Sequence, residues 1–259
     1  MAQPVRCELR IYPDGESMCR AAAEGLIETM TRTLEHGDRF SIALSGGSTP
    51  LVLYRMLAGE FSGRVPWEKM HFYWGDERCV PQDDPRSNVR LFHDAVMTVV
   101  RIPPENIHPM PTDRDDPDAA AREYEALMRK RFDGAWPRFD MVLLGLGKDG
   151  HTASLFPGSP ALAEGKRWVV GVRTDADPPV RVTVTLPVLN AASDVWFLVS
   201  GREKADALRR VMTGPVDPRR FPASAVCPAK GGVVWWVNED AASHLGGVST
   251  PDVRIVKGS

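Results

Sequence analysis

The sequence is poor in the features that mark several large classes of protein. Its four cysteines, Cys7, Cys19, Cys79 and Cys227, form no C-x-x-C pair and have no histidine at ligand spacing. A chain of 259 residues would need far denser cysteine for a disulfide scaffold, so neither a structural zinc nor a disulfide framework is expected. The longest apolar runs, such as Val233 to Val237, fall well short of the ~18 residues that cross a bilayer. The opening Met1-Ala-Gln-Pro-Val-Arg-Cys-Glu8 lacks the apolar stretch of a secretion signal, and the expected location is cytoplasmic. Neither charge sign dominates: 32 Lys and Arg face 34 Asp and Glu, with no block of five like charges. That balance lacks the electrostatic footprint of a nucleic-acid or lipid-surface binder. The expected partner is a small molecule, with no nucleic acid, no membrane, and a monomeric or weakly homo-oligomeric state. No internal repeat and no low-complexity tract is visible, and nothing in the composition marks a linker.

What is present is an ordinary globular balance, 43% apolar and 25% charged, with 22 Gly and 22 Pro. Together these two residues exceed the roughly 12% of average proteins, which places much of the chain in turns and loops, where sites reside. Cys7 to Tyr12 reads as a strand. Asp14 then caps a helix with the stripe Met18, Ala22, Leu26, Met30 and Leu34, and Gly37 is expected as its left-handed end. Phe40 to Leu44 is a second strand, followed by a helix expected to start at Pro50 with Thr49 as its cap. Lys69 to Trp74 reads as a strand, Asp76 to Ser87 as a loop, and Asn88 to Val100 and Ala119 to Phe132 as helices. Phe139 to Leu144 is a continuous apolar run, typical of a strand buried on both faces of a parallel sheet. Further strands are expected at Trp168 to Val172, Arg181 to Leu186, Val195 to Val199 and Val233 to Val237, with helices at Arg202 to Met212 and Glu239 to Leu245. Strands alternating with helices predict an α/β domain over residues 1–259, with a mainly parallel sheet and a ligand site at the carboxyl ends of its strands.

Three strand ends carry chemistry. Ser45-Gly46-Gly47-Ser48-Thr49-Pro50 leaves a strand and opens a helix, so backbone N–H groups and the positive helix end converge where a phosphate fits; an ordinary Gly-rich turn has the same spacing, and no Walker sequence is present. Gly145-Leu-Gly-Lys-Asp-Gly150 matches the dinucleotide fingerprint literally. Pro157, Gly158 and Pro160 follow too soon for the long helix that a dinucleotide site requires, so the loop is read as presenting His151 beside Asp149. Trp74-Gly-Asp-Glu-Arg78 brings two carboxylates and a guanidinium to a third strand end. Lys204 falls in the first turn of a helix, where a cation opposes the helix dipole unless an anion shares the site. A serine hydrolase is excluded because no G-x-S-x-G occurs.

Taken with Arg181-Val-Thr-Val-Thr-Leu-Pro-Val-Leu-Asn190, these segments resemble the 6-phosphogluconolactonase family, and the long motif Gly145 to Pro157 carries most of the likeness. Related glucosamine-6-phosphate deaminases look like Asn-Glu-Pro where this chain has Leu155-Phe-Pro157. The resemblance implies a Rossmann-like three-layer αβα fold, as in those deaminases and in ribose-5-phosphate isomerases. It implies hydrolysis of 6-phospho-D-glucono-1,5-lactone with no metal and no cofactor. Ser45, Gly46, Gly47, Ser48 and Thr49 would hold the phosphate with Lys204, Arg78 and Arg181. His151 would be the general base and later the acid, oriented by Asp149 or Asp76, with a cation or a backbone N–H receiving the oxyanion.

Overall fold

A computed structural model describes residues 7–113, 116–133, 136–246 and 253–258. Eight strands form one wholly parallel sheet in the order β11-β1-β10-β9-β6-β2-β3-β5. They are β1 (Cys7–Tyr12), β2 (Phe40–Leu44), β3 (Met70–Trp74), β5 (Ile107–His108), β6 (Met141–Leu144), β9 (Asp194–Val199), β10 (Gly232–Asn238) and β11 (Val253–Lys257). All residues of β2 and β6 are buried, as two covered faces demand. The covering helices include α1 (Gly15–Leu34), α2 (Ser48–Ala58), α3 (Asn88–Phe92), α4 (Pro117–Arg131), α5 (Leu186–Ala191), α6 (Ala205–Thr213) and α7 (Glu239–Ala242). The result is the three-layer αβα arrangement expected from the alternation.

Helix α1 begins where its sequence predicts. The Asp14 carboxylate accepts from the Ser17 N–H at 2.8 Å while the Ser17 hydroxyl faces the Asp14 N–H, a reciprocal cap that satisfies two otherwise orphaned donors. Its end differs: the helix closes at Glu35 in right-handed geometry, and Gly37 lies beyond it without a positive φ. Helix α2 starts two residues earlier than expected. Gly47, at φ 108°, is the capping position, and Ser48 and Thr49 form the first turn, so Thr49 does not cap it. Asn88 to Val100 is shorter than expected, with α3 running into a π-helical turn over His93–Met97.

The largest departure is a second, antiparallel sheet. Strands β4 (Asp76–Arg78), β7 (Val169–Arg173) and β8 (Val180–Val184) pair in the order β4-β8-β7. Two of these were expected in the parallel sheet, and the third was expected to be loop. The apolar runs of β7 and β8 show which faces are buried but not which partner they meet. Three polar residues, Asp76, Glu77 and Arg78, carry no alternation to read. Gly75 joins the two sheets, donating to the Leu44 carbonyl of β2 and accepting from the Val184 N–H. Helix α4 packs against β7 and β8, so the small sheet is clamped over the carboxyl edge of the large one.

Candidate active site

Four neighbouring strands of the large sheet, β9, β6, β2 and β3, end at one crevice, a cavity of about 310 Å³. Its lining includes Ser45, Gly46, Gly47, Ser48 and Thr49 after β2, His151 from the loop after β6, Lys204 after β9, Asp76 and Arg78 on β4, and Arg181 on β8. Every residue to which the family resemblance gives a role lies on this wall except Asp149, whose carboxylate meets the His151 ring.

The turn after β2 is held by Tyr54 of α2. Its buried hydroxyl donates to the Ser45 carbonyl at 2.8 Å and accepts from the Ser45 N–H at 3.1 Å. Pinning the turn at its root leaves the first-turn N–H groups of α2 facing the crevice with the positive end of the helix behind them.

The loop after β6 folds on itself, with Gly147 N–H donating to the His151 carbonyl and Gly150 N–H to the Gly147 carbonyl. A side chain at Gly147 would overlap the His151 imidazole, so the close approach requires glycine there. Asp149 Oδ1 lies 2.6 Å from His151 Nδ1 and also accepts the His151 N–H at 3.1 Å. Burial alone would raise the Asp149 carboxyl, but the hydrogen bond and charge of His151 outweigh it and hold the group below the usual carboxylate range. An ionised acceptor at Nδ1 places the ring hydrogen there and leaves the lone pair on Nε2. Phe156 backs the ring, the two centroids being 4.3 Å apart.

Asp76 does not reach His151. Its Oδ2 accepts from the Ser154 hydroxyl at 2.6 Å, and its backbone carbonyl accepts from the Asn88 side-chain amide. Of the two carboxylates the sequence leaves open as partner to the histidine, Asp149 makes the contact. Glu77 does not face the crevice at all. It is 0% exposed and accepts from the N–H groups of Arg78, Asn88 and Val89 and from the Ser87 hydroxyl, although burial raises its pKa.

The cations are crowded. Arg78 and Arg181 are direct cross-strand partners in β4 and β8, a like-charge pair that an anion would relieve. Arg181 is buried, which lowers its pKa, and it donates Nε and one Nη to the carbonyls of Pro178 and Asp177. Arg78 donates an Nη to the Arg86 carbonyl, while its Nε is buried without a partner. Lys204 stands half-buried at the position just before α6, at the end of a 3-10 turn over Arg202–Lys204 and not within the first turn of the helix, and its side chain makes no cap bond. Burial lowers its pKa, the Lys148 charge adding to the shift and the nearby Glu203 and Asp149 charges opposing it. Asn88, Ser200 and Glu203, not singled out from the sequence, also line the cavity. Asn88 looks like an ordinary helix start after Ser87; Ser200 could have been found from its place just beyond a strand's carboxyl end. Among the described residues no three His, Cys, Asp or Glu are grouped to hold a metal ion.

A parallel αβα sheet whose carboxyl-end crevice joins an anion-ready turn to a carboxylate-held histidine defines a class, the α/β enzymes that act on small anionic substrates. Residues 13–235 match the family described as glucosamine-6-phosphate isomerases/6-phosphogluconolactonase. A 6-phosphogluconolactonase from Synechocystis sp. is 43% identical over 83% of this chain and 89% of its own length. The solved structure of 6-phosphogluconolactonase from Trypanosoma brucei superposes with a TM-score of 0.81 at 27% identity, covering 93% of this chain and 99% of that one. A monomeric glucosamine-6-phosphate deaminase shares the fold, with a TM-score of 0.78 at 23% identity over 92% of this chain and 99% of its own. The chain belongs to the glucosamine-6-phosphate isomerase/6-phosphogluconolactonase family.

Proposed function

We propose that the chain hydrolyses 6-phospho-D-glucono-1,5-lactone to 6-phospho-D-gluconate, the lactonase step of the oxidative pentose phosphate pathway. The observation that carries this reading is the His151–Asp149 pair at 2.6 Å on the same cavity as the turn Ser45 to Thr49. Relatives named as this lactonase, aligned along most of the chain, support the substrate.

In this reading the turn and Lys204 hold the phosphate, with Arg78 beside them, and Arg181 supplies wall charge because two of its donors are already committed. The lone pair on His151 Nε2 takes a proton from water as the water oxygen attacks the lactone carbonyl. The imidazolium, steadied by Asp149, then returns the proton to the departing ring oxygen. A δ-lactone is an activated ester, so general base catalysis worth ~10²–10⁴, together with positioning through the phosphate, drives hydrolysis without a covalent intermediate. Asp76, hydrogen-bonded to Ser154 instead of His151, is assigned to a substrate hydroxyl.

Freshly generated phosphogluconolactone should be hydrolysed far above its spontaneous rate, and glucosamine 6-phosphate should release no ammonia. The reverse pattern would assign the chain to the deaminase branch of the family.

A further inference from the structure

Asn88 is buried, 2% exposed, at the start of α3, and its side-chain amide spans two walls of the cavity. The Nδ2 group donates to the Asp76 carbonyl of β4 at 2.9 Å, which fixes the orientation of the amide. The Oδ1 atom is then driven against Gly46 in the phosphate turn, where it is buried with no hydrogen-bond partner. Proteins rarely leave a buried acceptor unpaired, because its lost hydration is not repaid. The backbone at Asn88 is fixed as well: its N–H is held by the wholly buried Glu77 carboxylate. A side chain added at Gly46 would put its Cβ 1.7 Å from Asn88 Oδ1, and the three nearest atoms all belong to Asn88. Gly46 has no positive φ, unlike Gly47, so its backbone would accept alanine. What demands glycine at position 46 is the Asn88 amide.

We propose that Asn88 is a positioning residue for the phosphate turn, bracing Gly46 from the Asp76 strand so that the turn keeps its anion-receiving shape before substrate arrives. This rests on the reading that the turn Ser45 to Thr49 binds the phosphate. A brace on preformed N–H donors acts on binding of the phosphoryl group and leaves the unphosphorylated lactone nearly indifferent.

The test is a double-mutant cycle read by the Kd of 6-phosphogluconate and of inorganic phosphate. Asn88→Ala should weaken both ligands about tenfold, the value of one hydrogen bond's worth of order, and should lower kcat/KM for the phosphorylated lactone relative to the unphosphorylated one. Gly46→Ala alone should cost roughly a hundredfold, yet no more than about threefold when added to Asn88→Ala, because the obstructing amide is gone. Equal costs of Gly46→Ala in the two backgrounds, or Asn88→Ala with unchanged affinities and unchanged substrate ratio, would overturn the proposal. Should the alanine variant not fold, Asn88→Asp keeps the volume and replaces the donor to Asp76 with a repelling oxygen. It should weaken phosphate at least as much, and wild-type affinity in that variant would equally overturn the brace. Failure of the underlying reading looks different: Lys204→Ala and Gly47→Ala would also leave phosphate affinity untouched.

Discussion

In the proposed mechanism Lys204 and His151 divide the labour of the site by charge. Lys204 is half-buried, and burial with the Lys148 charge destabilises its ammonium more than the nearby Glu203 and Asp149 charges steady it. A phosphate bound there, as proposed, would offset that penalty and turn a local cost into affinity. Lys204→Ala should therefore weaken 6-phosphogluconate binding by roughly 1.5–3 kcal/mol, the range of a charge-assisted hydrogen bond, while barely affecting the unphosphorylated lactone. Equal losses on the two substrates would mean that the lysine supports the fold. His151, Asp149 and the turn glycines were legible from sequence because each stands at the end of an apolar run with few other tasks open to it. The choice between Asp149 and Asp76 was not, since both follow strands and only the hydrogen bonding separates them: one meets the imidazole, the other meets Ser154.

At the scale of elements, the strand ends decide what the site contains, and two of them make measurable demands. Gly47 caps α2 at φ 108° and ψ 169°, a conformation open essentially to glycine alone. Gly47→Ala should cost about 1–3 kcal/mol of stability and should weaken phosphate binding with it, measured by denaturant titration and calorimetry. At the other end of β3, His71 Nδ1 lies 3.2 Å from His108 Nε2 on β5, and Tyr73 stacks on His108 with centroids 4.4 Å apart. Burial, with Arg131, His71 and Arg39 nearby, pushes His108 down to about 4, and burial lowers His71 too. The unfolded chain takes up these protons near the ordinary histidine value of ~6.5, so between there and about 4 it binds more protons than the folded one. Stability is therefore complete above that window and falls as pH drops through it, by about 3 kcal/mol for His108. A His108→Phe variant should show a flatter stability curve over the same range, and an unchanged slope would remove His108 from the account.

Six of the eight parallel strands and the larger helices were readable in the sequence because buried strands are continuous apolar runs and α1 carries both its stripe and its cap; the two edge strands, Ile107–His108 and Val253–Lys257, were not, the first being only two residues long and the second largely exposed. The small antiparallel sheet was not. Val169–Arg173 and Val180–Val184 look like any buried strands until their partner is known, and that partner, Asp76–Arg78, is too short and polar to show a period.

For the whole molecule, the site is assembled from chain segments far apart in sequence, from Ser45 to Lys204, and from two sheets that meet at Gly75. A ligand in the crevice ties these segments together only in the folded state, so 6-phosphogluconate at 100 times its Kd should stabilise the protein by about 2.7 kcal/mol, visible as a rise in Tm. NAD and NADP should give no such rise, since Pro157 and Pro160 follow the glycine loop where a dinucleotide site needs a long helix. If an imidazole activates the water, as proposed, exhaustive dialysis against EDTA should leave the hydrolysis rate unchanged. Activity lost to the chelator and restored by zinc would call for metal ligands brought together from separate loops.

In the proposed mechanism His151 is the base that activates water, with Asp149 holding its Nδ1. The most direct test is the steady-state hydrolysis of freshly generated 6-phosphogluconolactone by the wild type and by His151→Asn, with the spontaneous rate subtracted and 6-phosphogluconate affinity measured on the same preparations. The expected result is a kcat lowered by about 10²–10⁴ in the variant, with product affinity retained. A variant that binds the product normally and keeps near-full kcat would contradict the assignment, and the proton would have to be taken by another group in the crevice.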